Sequence, residues 1–402
     1  MQKKTLALAL MLVCGGVSLN AVAQSNVQIY GAVDYGYSYR FDANALLKSG
    51  APHAKSLGRI DSGQSTDNMI GFKGVEEIGN GTKAFFVLER AFFLDTGADD
   101  AGFNLAAYVG FETPMGSLIG GRIVTPYHEL LGGVDPFAAG TVGTYQNVKK
   151  DIAENAFGEA GLFDPDRVNN AIAYVSPDFG GFNLTLAYSN NAFDEDGAQS
   201  VETPEQMRYT NGRDNAVYTI GANYTAENAL IGATYHRIHS AGLKAVGANA
   251  DFMPVQSVDN FSLGGFYDFG ALKIAAFYSM DKAKFGTINN AQAVAVDGKT
   301  SISQHNFMLG ANVPFGNSEL KASVNYSKNA SSQYGNAMQI AVGYDYNFSK
   351  RTAFYAAYAW IDNDKARANE NGRQGRLAVA NDTQNSGGIY QQAFQLGIRH
   401  LF

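Results

Sequence analysis

The sequence predicts an all-β fold, a transmembrane antiparallel β-barrel of about 16 strands, and three observations carry that prediction. Apolar and polar residues alternate with a period of two in segment after segment. The connections between those segments are short and long in turn. Past the N-terminal leader, no stretch approaches the roughly 20 consecutive apolar residues that a membrane-spanning helix needs.

The chain begins with that leader. Lys3 and Lys4 precede an apolar run from Leu6 to Val13, and small residues end in Ala21-Val22-Ala23, the pattern of a secretory signal peptide cleaved after Ala23. The expected organisation is a leader over 1–23 and a single barrel domain over 24–402. Cys14, the only cysteine, leaves with the leader, and Val13 before it is not the small residue that lipid attachment favours. An exported chain without disulfides must be held by something else, and closed hydrogen bonding is the candidate. The net charge is −7, and loss of Lys3 and Lys4 makes the exported part more acidic. The remaining Lys and Arg are scattered, so no nucleic-acid partner is expected.

Composition points to strands and turns, with 45 Gly, 26 Phe and 22 Tyr against 9 Pro and 1 Trp. Successive side chains of a strand point to opposite faces. Over 182–189, Phe182, Leu184, Leu186 and Tyr188 oppose Asn183, Thr185, Ala187 and Ser189. Leu272, Ile274, Ala276 and Tyr278 form a similar row. From 319 to 327, Leu320, Ala322, Val324 and Tyr326 oppose Glu319, Lys321, Ser323, Asn325 and Ser327. From 338 to 348, Met338, Ile340, Val342, Tyr344, Tyr346 and Phe348 oppose Gln339, Gly343, Asp345 and Asn347. At the end, Phe394, Leu396, Ile398 and Phe402 oppose Gln391, Gln395 and Arg399. One face of each strand suits lipid and the other suits water.

A soluble β-sandwich also alternates, so connection lengths must decide. Links such as Thr225-Ala226-Glu227, Asp268-Phe269-Gly270, Pro314-Phe315-Gly316 and Asn347-Phe348-Ser349 alternate with long polar ones near 42–66, 125–166, 192–214, 239–256, 283–303 and 363–388. Short periplasmic turns and long external loops are the asymmetry of an outer-membrane barrel. Sixteen strands enclose an aqueous lumen rather than a packed core.

Several blocks then resemble one family, the trimeric general porins of Gram-negative outer membranes, over nearly all of the exported chain. They are Val27-Gln28-Ile29-Tyr30-Gly31, the run from Ile70 to Gly79, Gly120-Gly121-Arg122, and the run from Arg167 to Tyr174 with Ser176 to Phe182. Val342 to Tyr346, Ser349 to Thr352 and Ala393 to Phe402 complete the set. The resemblance implies a homotrimer that passes small hydrophilic solutes and ions by passive diffusion and needs no cofactor. It also implies contact with outer-membrane lipid and lipopolysaccharide, and insertion by the barrel assembly machinery, with Phe402 as the assembly signal. Apolar residues on both faces of the early strands, among them Phe85, Phe86, Val87, Leu105 and Phe111, mark these as subunit-contact strands.

The resemblance further implies that the third loop, about 125–166, folds into the lumen. Its acids Glu129, Asp135, Asp151, Glu154 and Glu159 would face wall cations across the opening. Arg122, read as opposing Ile119 and Ile123, and Arg167, read as opposing Ile172 and Tyr174, are expected to point inward, as is Lys73 with Gly71 and Met69. Met69 and Leu105 stand where similar porins place basic residues. With the acidic balance, that predicts weak or cation-leaning selectivity.

Enzymatic signals are weak. The 6 histidines are dispersed, and His236 and His239 fall on opposite faces of a strand, which disfavours a shared metal. There is no Gly-x-Ser-x-Gly elbow, and Gly79-Asn80-Gly81-Thr82-Lys83 reads as a turn. The trio Asp194-Glu195-Asp196 reads as a solvated external loop. A pore tuned to one solute class, and an adhesin or enzyme built on a barrel, remain as alternatives.

Overall fold

A computed structural model describes residues 26–41, 56–99, 102–138, 140–149, 166–190, 192, 215–240, 255–285, 287–288, 291–292, 300–329, 336–363 and 390–402. The leader lies outside them, as do the trio Asp194-Glu195-Asp196 and the loop acids Asp151, Glu154 and Glu159.

Sixteen antiparallel strands close into a barrel. The first is β1 (Asn26–Arg40). The second is interrupted into β2 (Leu57–Ser62) and β3 (Met69–Gly79), both of which pair with β1. There follow β4 (Thr82–Ala91), β5 (Ala106–Thr113), β6 (Gly116–Val124), β7 (Arg167–Val175), β8 (Phe182–Ser189), β9 (Asn215–Thr225) and β10 (Ala229–Ser240). Next come β11 (Val255–Asp268) and β12 (Lys273–Phe285). A separate two-stranded ribbon, β13 (Thr287–Ile288) with β14 (Ala291–Gln292), lies between β12 and β15. The wall ends with β15 (Ser301–Phe315), β16 (Ser318–Asn329), β17 (Ala337–Asn347), β18 (Thr352–Asn363) and β19 (Tyr390–Leu401). Strand β19 returns to β1, from Ala32 opposite Leu401 to Arg40 opposite Ala393. Closure leaves no strand edge in lipid, where each unpaired backbone group costs several kcal/mol. No helix among the described residues is long and apolar enough to cross a membrane.

The two faces differ as a water-filled barrel requires. Ile220, Leu309, Val324, Val342 and Ile398 are exposed on the outside, while Asn260, Ser262, Asn306, Asn325, Gln339 and Gln395 are buried on the inside. The short turns that join successive wall strands lie at one end. That of Gly79-Asn80-Gly81 has φ of +115°, +53° and +72°, a left-handed path that glycine follows at little cost.

Two expectations are corrected. The connection near 42–66 is not all loop, because 57–62 extend the second strand before residues 63–68 leave the wall. Asp34 fastens this bulge: its carboxylate accepts from the Ser65 and Thr66 backbone at 2.7 and 3.0 Å and from the Tyr355 hydroxyl at 2.6 Å. Ile119 and Ile123 do not face lipid. They are 8% and 6% exposed and pack with Val168, Ala171 and Ala187, whereas Leu118 is 55% exposed.

Candidate functional site

The third loop folds into the barrel and begins with helix α1 (Pro126–Val134). Thr125 caps it, its hydroxyl accepting from the His128 N–H at 3.3 Å, and Pro126 supplies the preset first turn. Tyr127, Leu130, Leu131 and Val134 form a buried stripe at helical spacing that packs on Leu230, Ala275, Phe277 and Met308 of the wall. Fully burying side chains of this size contributes roughly 1.5–3 kcal/mol each, so apolar contact dominates the seating of the loop. Beyond α1, Phe137 and Val142 pack on Ala341, Ala357, Ala359 and Ala393.

The wall is cut away to receive the loop. A Cβ on Gly221 would stand 2.4 Å from Pro126 Cβ, one on Gly310 would stand 2.4 Å from Pro136 Cγ, and one on Gly343 would stand 2.7 Å from Phe137 Cε1. On the loop itself, a Cβ on Gly140 would meet the Ser65 carbonyl of the bulge at 2.1 Å. Loop and bulge thus touch, and together they narrow the lumen.

Polar contacts fix the returning segment, which contains a short 3-10 helix (Tyr145–Val148). Gln395 accepts from the Val142 N–H at 2.7 Å. Gln339 donates to the Gly143 carbonyl at 2.8 Å and accepts from the Asn147 amide at 2.9 Å. The Tyr145 hydroxyl lies 2.9 Å from Ser279 Oγ. Lys149 ends the segment with its ammonium 3.4 Å from the Asp281 carboxylate and 2.9 Å from the Tyr127 hydroxyl, beside the Tyr127 and Tyr145 rings. Its side chain is 2% exposed and that of Asp281 0%.

The charges named from sequence are distributed as follows. Lys73 Nζ lies 5.1 Å from the centre of the Tyr30 ring, whose hydroxyl donates to Glu89 at 2.6 Å. Glu129 is exposed on the side of α1 away from the buried stripe. Asp135 does not face wall cations: it is 4% exposed and accepts from the Phe137 and Tyr145 backbone at 2.9 Å each, organising the loop from within.

Arg122 donates to the Asn104 carbonyl at 2.7 Å and to the Asn169 side chain. Simple alternation gives it the parity of Leu118, not that of the lumen-side Ile119. Arg167 donates to the Leu105 carbonyl at 2.8 Å and lies 3.9 Å from Asp67. Counting inward from Ile172 fails for Arg167, because Asn170 has φ +50° and the pairing of β6 with β7 shifts register there. Both arginines tie neighbouring strand ends together. Phe402 exchanges backbone hydrogen bonds with Gly31 at the seam of the barrel.

At the neck of the loop, the Thr125 N–H donates to the Asp166 carbonyl at 2.9 Å, and His128 Nδ1 lies 2.9 Å from the Asp166 carboxylate. Burial opposes charge on His128, but Asp166 outweighs it and raises the imidazole above its usual value. Burial would raise the Asp166 carboxyl, yet His128 and Arg167 hold it below the ordinary range.

Sequence reasoning missed Lys149, Asp281 and Asp34. Asp281 shares the inward face of β12 with Phe277 and Ser279, a signal available in the alternation. Lys149 carried no such signal. No group of three or more His, Cys, Asp or Glu able to hold a metal ion occurs among the described residues.

The chain matches the Gram-negative porin family over residues 6–366. It is 31% identical over 409 residues to outer membrane porin protein 32 of Delftia acidovorans, with 100% of both chains covered. It is 26% identical to an outer membrane porin protein of Bordetella pertussis, over 69% of each chain. Among solved structures, it resembles the anion-selective porin from Comamonas acidovorans with a TM-score of 0.71 and 25% identity, covering 94% of this chain and 100% of that one. Likeness to outer-membrane expressed OmpT of Vibrio cholerae, with a TM-score of 0.61 and 13% identity, concerns the fold.

Proposed function

This chain belongs to the Gram-negative porin family, and from that premise we propose that it forms a homotrimeric diffusion pore with a weak preference for anions. Its place in the outer membrane and its work as a passive channel follow from the family; trimerisation and ion preference are the finer steps. The seated third loop is the observation that carries the reading, since it leaves a narrowed, water-filled path through a closed wall.

The cation-leaning expectation is given up. Asp135 is buried within the loop and Asp281 is paired with Lys149, so neither carboxylate offers its full field to passing ions. Lys73, by contrast, is partly exposed. The anion-selective relative supports the same sign. Met69 and Leu105, in place of basic residues, keep the preference weak. Glu129 opposes it from the lumen face of α1, and Arg167 stands at the neck of the loop.

Cleavage after Ala23 delivers the barrel domain to the periplasm, where Phe402 serves as the assembly signal. Contact with lipopolysaccharide on the outer leaflet belongs to the same reading, as does the absence of catalysis.

Planar-bilayer recording tests the proposal. Stepwise triplet openings with a reversal potential of anion-selective sign in a salt gradient are expected. Single openings would remove the trimer, and a cation-selective sign would overturn the preference. Folded but silent protein would return the adhesin or enzyme reading.

A further inference from the structure

Lys73 faces the lumen from β3, opposite the buried Val87 of β4. It forms no ion pair among the described residues, and its ammonium lies 5.1 Å from the centre of the Tyr30 ring. Other inward lysines are paired. Lys83, nearer the turns, has Glu77 at 3.8 Å and Glu112 at 3.7 Å, and Lys321 has Asp345 at 2.7 Å. An ammonium carries three donors, so one that turns a side to an aromatic ring keeps the others for a solute.

Strand pairing sets further rings around Lys73. Val87 lies opposite Tyr108 of β5, and Phe85, two residues from Val87 on the same face, meets Tyr108 edge to face with ring centres 6.4 Å apart. Both rings pack on the inner cluster that contains Ile119, which fixes them on the lumen side. They are also seated on the wall. A Cβ on Gly71 would lie 2.6 Å from the Tyr30 ring, and one on Gly110 would lie 2.6 Å from the Phe85 ring. All three rings remain partly exposed, and Val87 forms a buried floor between Lys73 and Tyr108.

The carboxylate on the next strand is engaged elsewhere. Glu89 accepts from the Tyr30 hydroxyl at 2.6 Å, so Tyr30 holds it while its ring lies beside Lys73. The place of the patch along the channel follows from β3, which starts at Met69 directly after the bulge of 63–68 and runs toward the turn at 79–81. Lys73 and the rings therefore lie on the short-turn side of the bulge. A solute passing between the loop and the wall meets them there.

We propose that this patch is a binding subsite for small aromatic carboxylates. Lys73 takes the carboxylate, and the solute ring lies over Val87 against Tyr108 and Phe85. Small-molecule sites are mostly apolar with a few placed polar groups, and this one offers a single unpaired cation beside three rings. A solute that is both anionic and aromatic uses the two halves together, whereas a simple anion uses only Lys73 and a neutral arene only the rings. The inference deepens the reading of the chain as a diffusion pore and rests on it, because only an open lumen brings solute to this wall.

The test is a planar-bilayer recording of the full exported chain in potassium chloride, with benzoate as the probe. Benzoate is expected to reduce the current in a saturable manner, and acetate or benzyl alcohol to do so only at several times the concentration. Lys73→Gln is expected to weaken the benzoate effect about two- to fivefold, the range for one solvated ion pair. Phe85→Leu and Tyr108→Leu are each expected to weaken it about two- to tenfold, the range for one aromatic contact. Lys350→Gln, on the turn between β17 and β18, is expected to change nothing. Heat-modified mobility of each variant verifies that the barrel is folded.

Acetate as effective as benzoate would make Lys73 a plain anion contact, and benzyl alcohol as effective as benzoate would make the rings a non-selective apolar surface; either overturns the proposal. So does an unchanged benzoate effect in folded Lys73→Gln and Phe85→Leu. Saturation-transfer NMR of benzoate with the chain in micelles reads binding without conduction and keeps the two readings apart. A conducting channel with no benzoate transfer overturns the subsite alone. Silent protein that shows transfer, lost in Lys73→Gln, overturns the pore and supports the subsite, and silent protein without transfer overturns both.

Discussion

Gly31 and Phe402 exchange both of their backbone hydrogen bonds, the Gly31 N–H donating to the Phe402 carbonyl at 3.1 Å and the Phe402 N–H to the Gly31 carbonyl at 3.0 Å. The terminal residue thus completes the seam at which the last strand meets the first. Its ring covers Gly31 so closely that a Cβ there would lie 2.5 Å from the Phe402 ring. The seam and the proposed assembly signal would share this one residue, and two variants separate the two roles. Phe402→Ala keeps the backbone bonds, so refolded protein should lose little stability while yield in the outer membrane falls severalfold. Deletion of Phe402 should lower both. If Phe402→Ala leaves cellular yield unchanged, the ring has no part in recognition.

The Lys149–Asp281 pair predicts a paired mutational signature. Removing one partner strands a buried charge and costs about 3–5 kcal/mol, whereas replacing both with apolar residues of similar volume is often close to neutral. Lys149→Met and Asp281→Leu should each lower resistance to guanidinium in micelles and increase open-channel noise, and the double variant should recover most of both. Additive losses in the double variant would show that the two residues act independently.

The glycine seats make a prediction about pore size. A methyl group at Gly310 meets Pro136 and one at Gly343 meets Phe137, and overpacking of this kind costs about 1–3 kcal/mol unless the neighbour moves. The wall is continuous and hydrogen-bonded, so the loop yields, toward the lumen. Gly310→Ala and Gly343→Ala should therefore reduce single-channel conductance and the size limit for sugars in liposome swelling. Increased conductance would mean that the loop detaches rather than shifts.

How far these features were legible in the sequence varies with the local physics. Where strands meet lipid on one face and water on the other, as from Leu320 to Tyr326, the alternation alone gives strand, face and register. It fails where the lumen is partly filled, because an apolar side chain such as Ile119 or Ile123 can then be buried on the inner face. The inward expectation for Arg122 fails for that same reason, since it assumes that Ile119 and Ile123 face lipid, and the one for Arg167 fails because the backbone breaks its own parity at Asn170, with φ +50°. Asp135 shows a third limit: an acid on a loop reads as a free charge until the backbone N–H groups it caps are known. Lys149 and Asp281 meet only because the loop folds in, and neither residue signals the other.

The neck of the loop supplies a pH prediction. His128 and Asp166 are both charged only between the lowered value of the Asp166 carboxyl and the raised value of the His128 imidazole. Arg167 and Asp67 act on the same imidazole with opposite signs. A raised imidazole value means that its contribution is fully present below the ordinary histidine value and disappears as pH rises through the raised one. A lowered carboxyl value means that the Asp166 contribution is present above the ordinary carboxylate value and disappears as pH falls through the lowered one. The neck should therefore be tightest in mildly acidic solution. His128→Asn, measured by the voltage at which channels close, should differ most from the native chain in that window and converge with it at alkaline pH, where the native imidazole is neutral. A difference that stays constant across the whole range would show that His128 acts through packing, with no contribution from its charge.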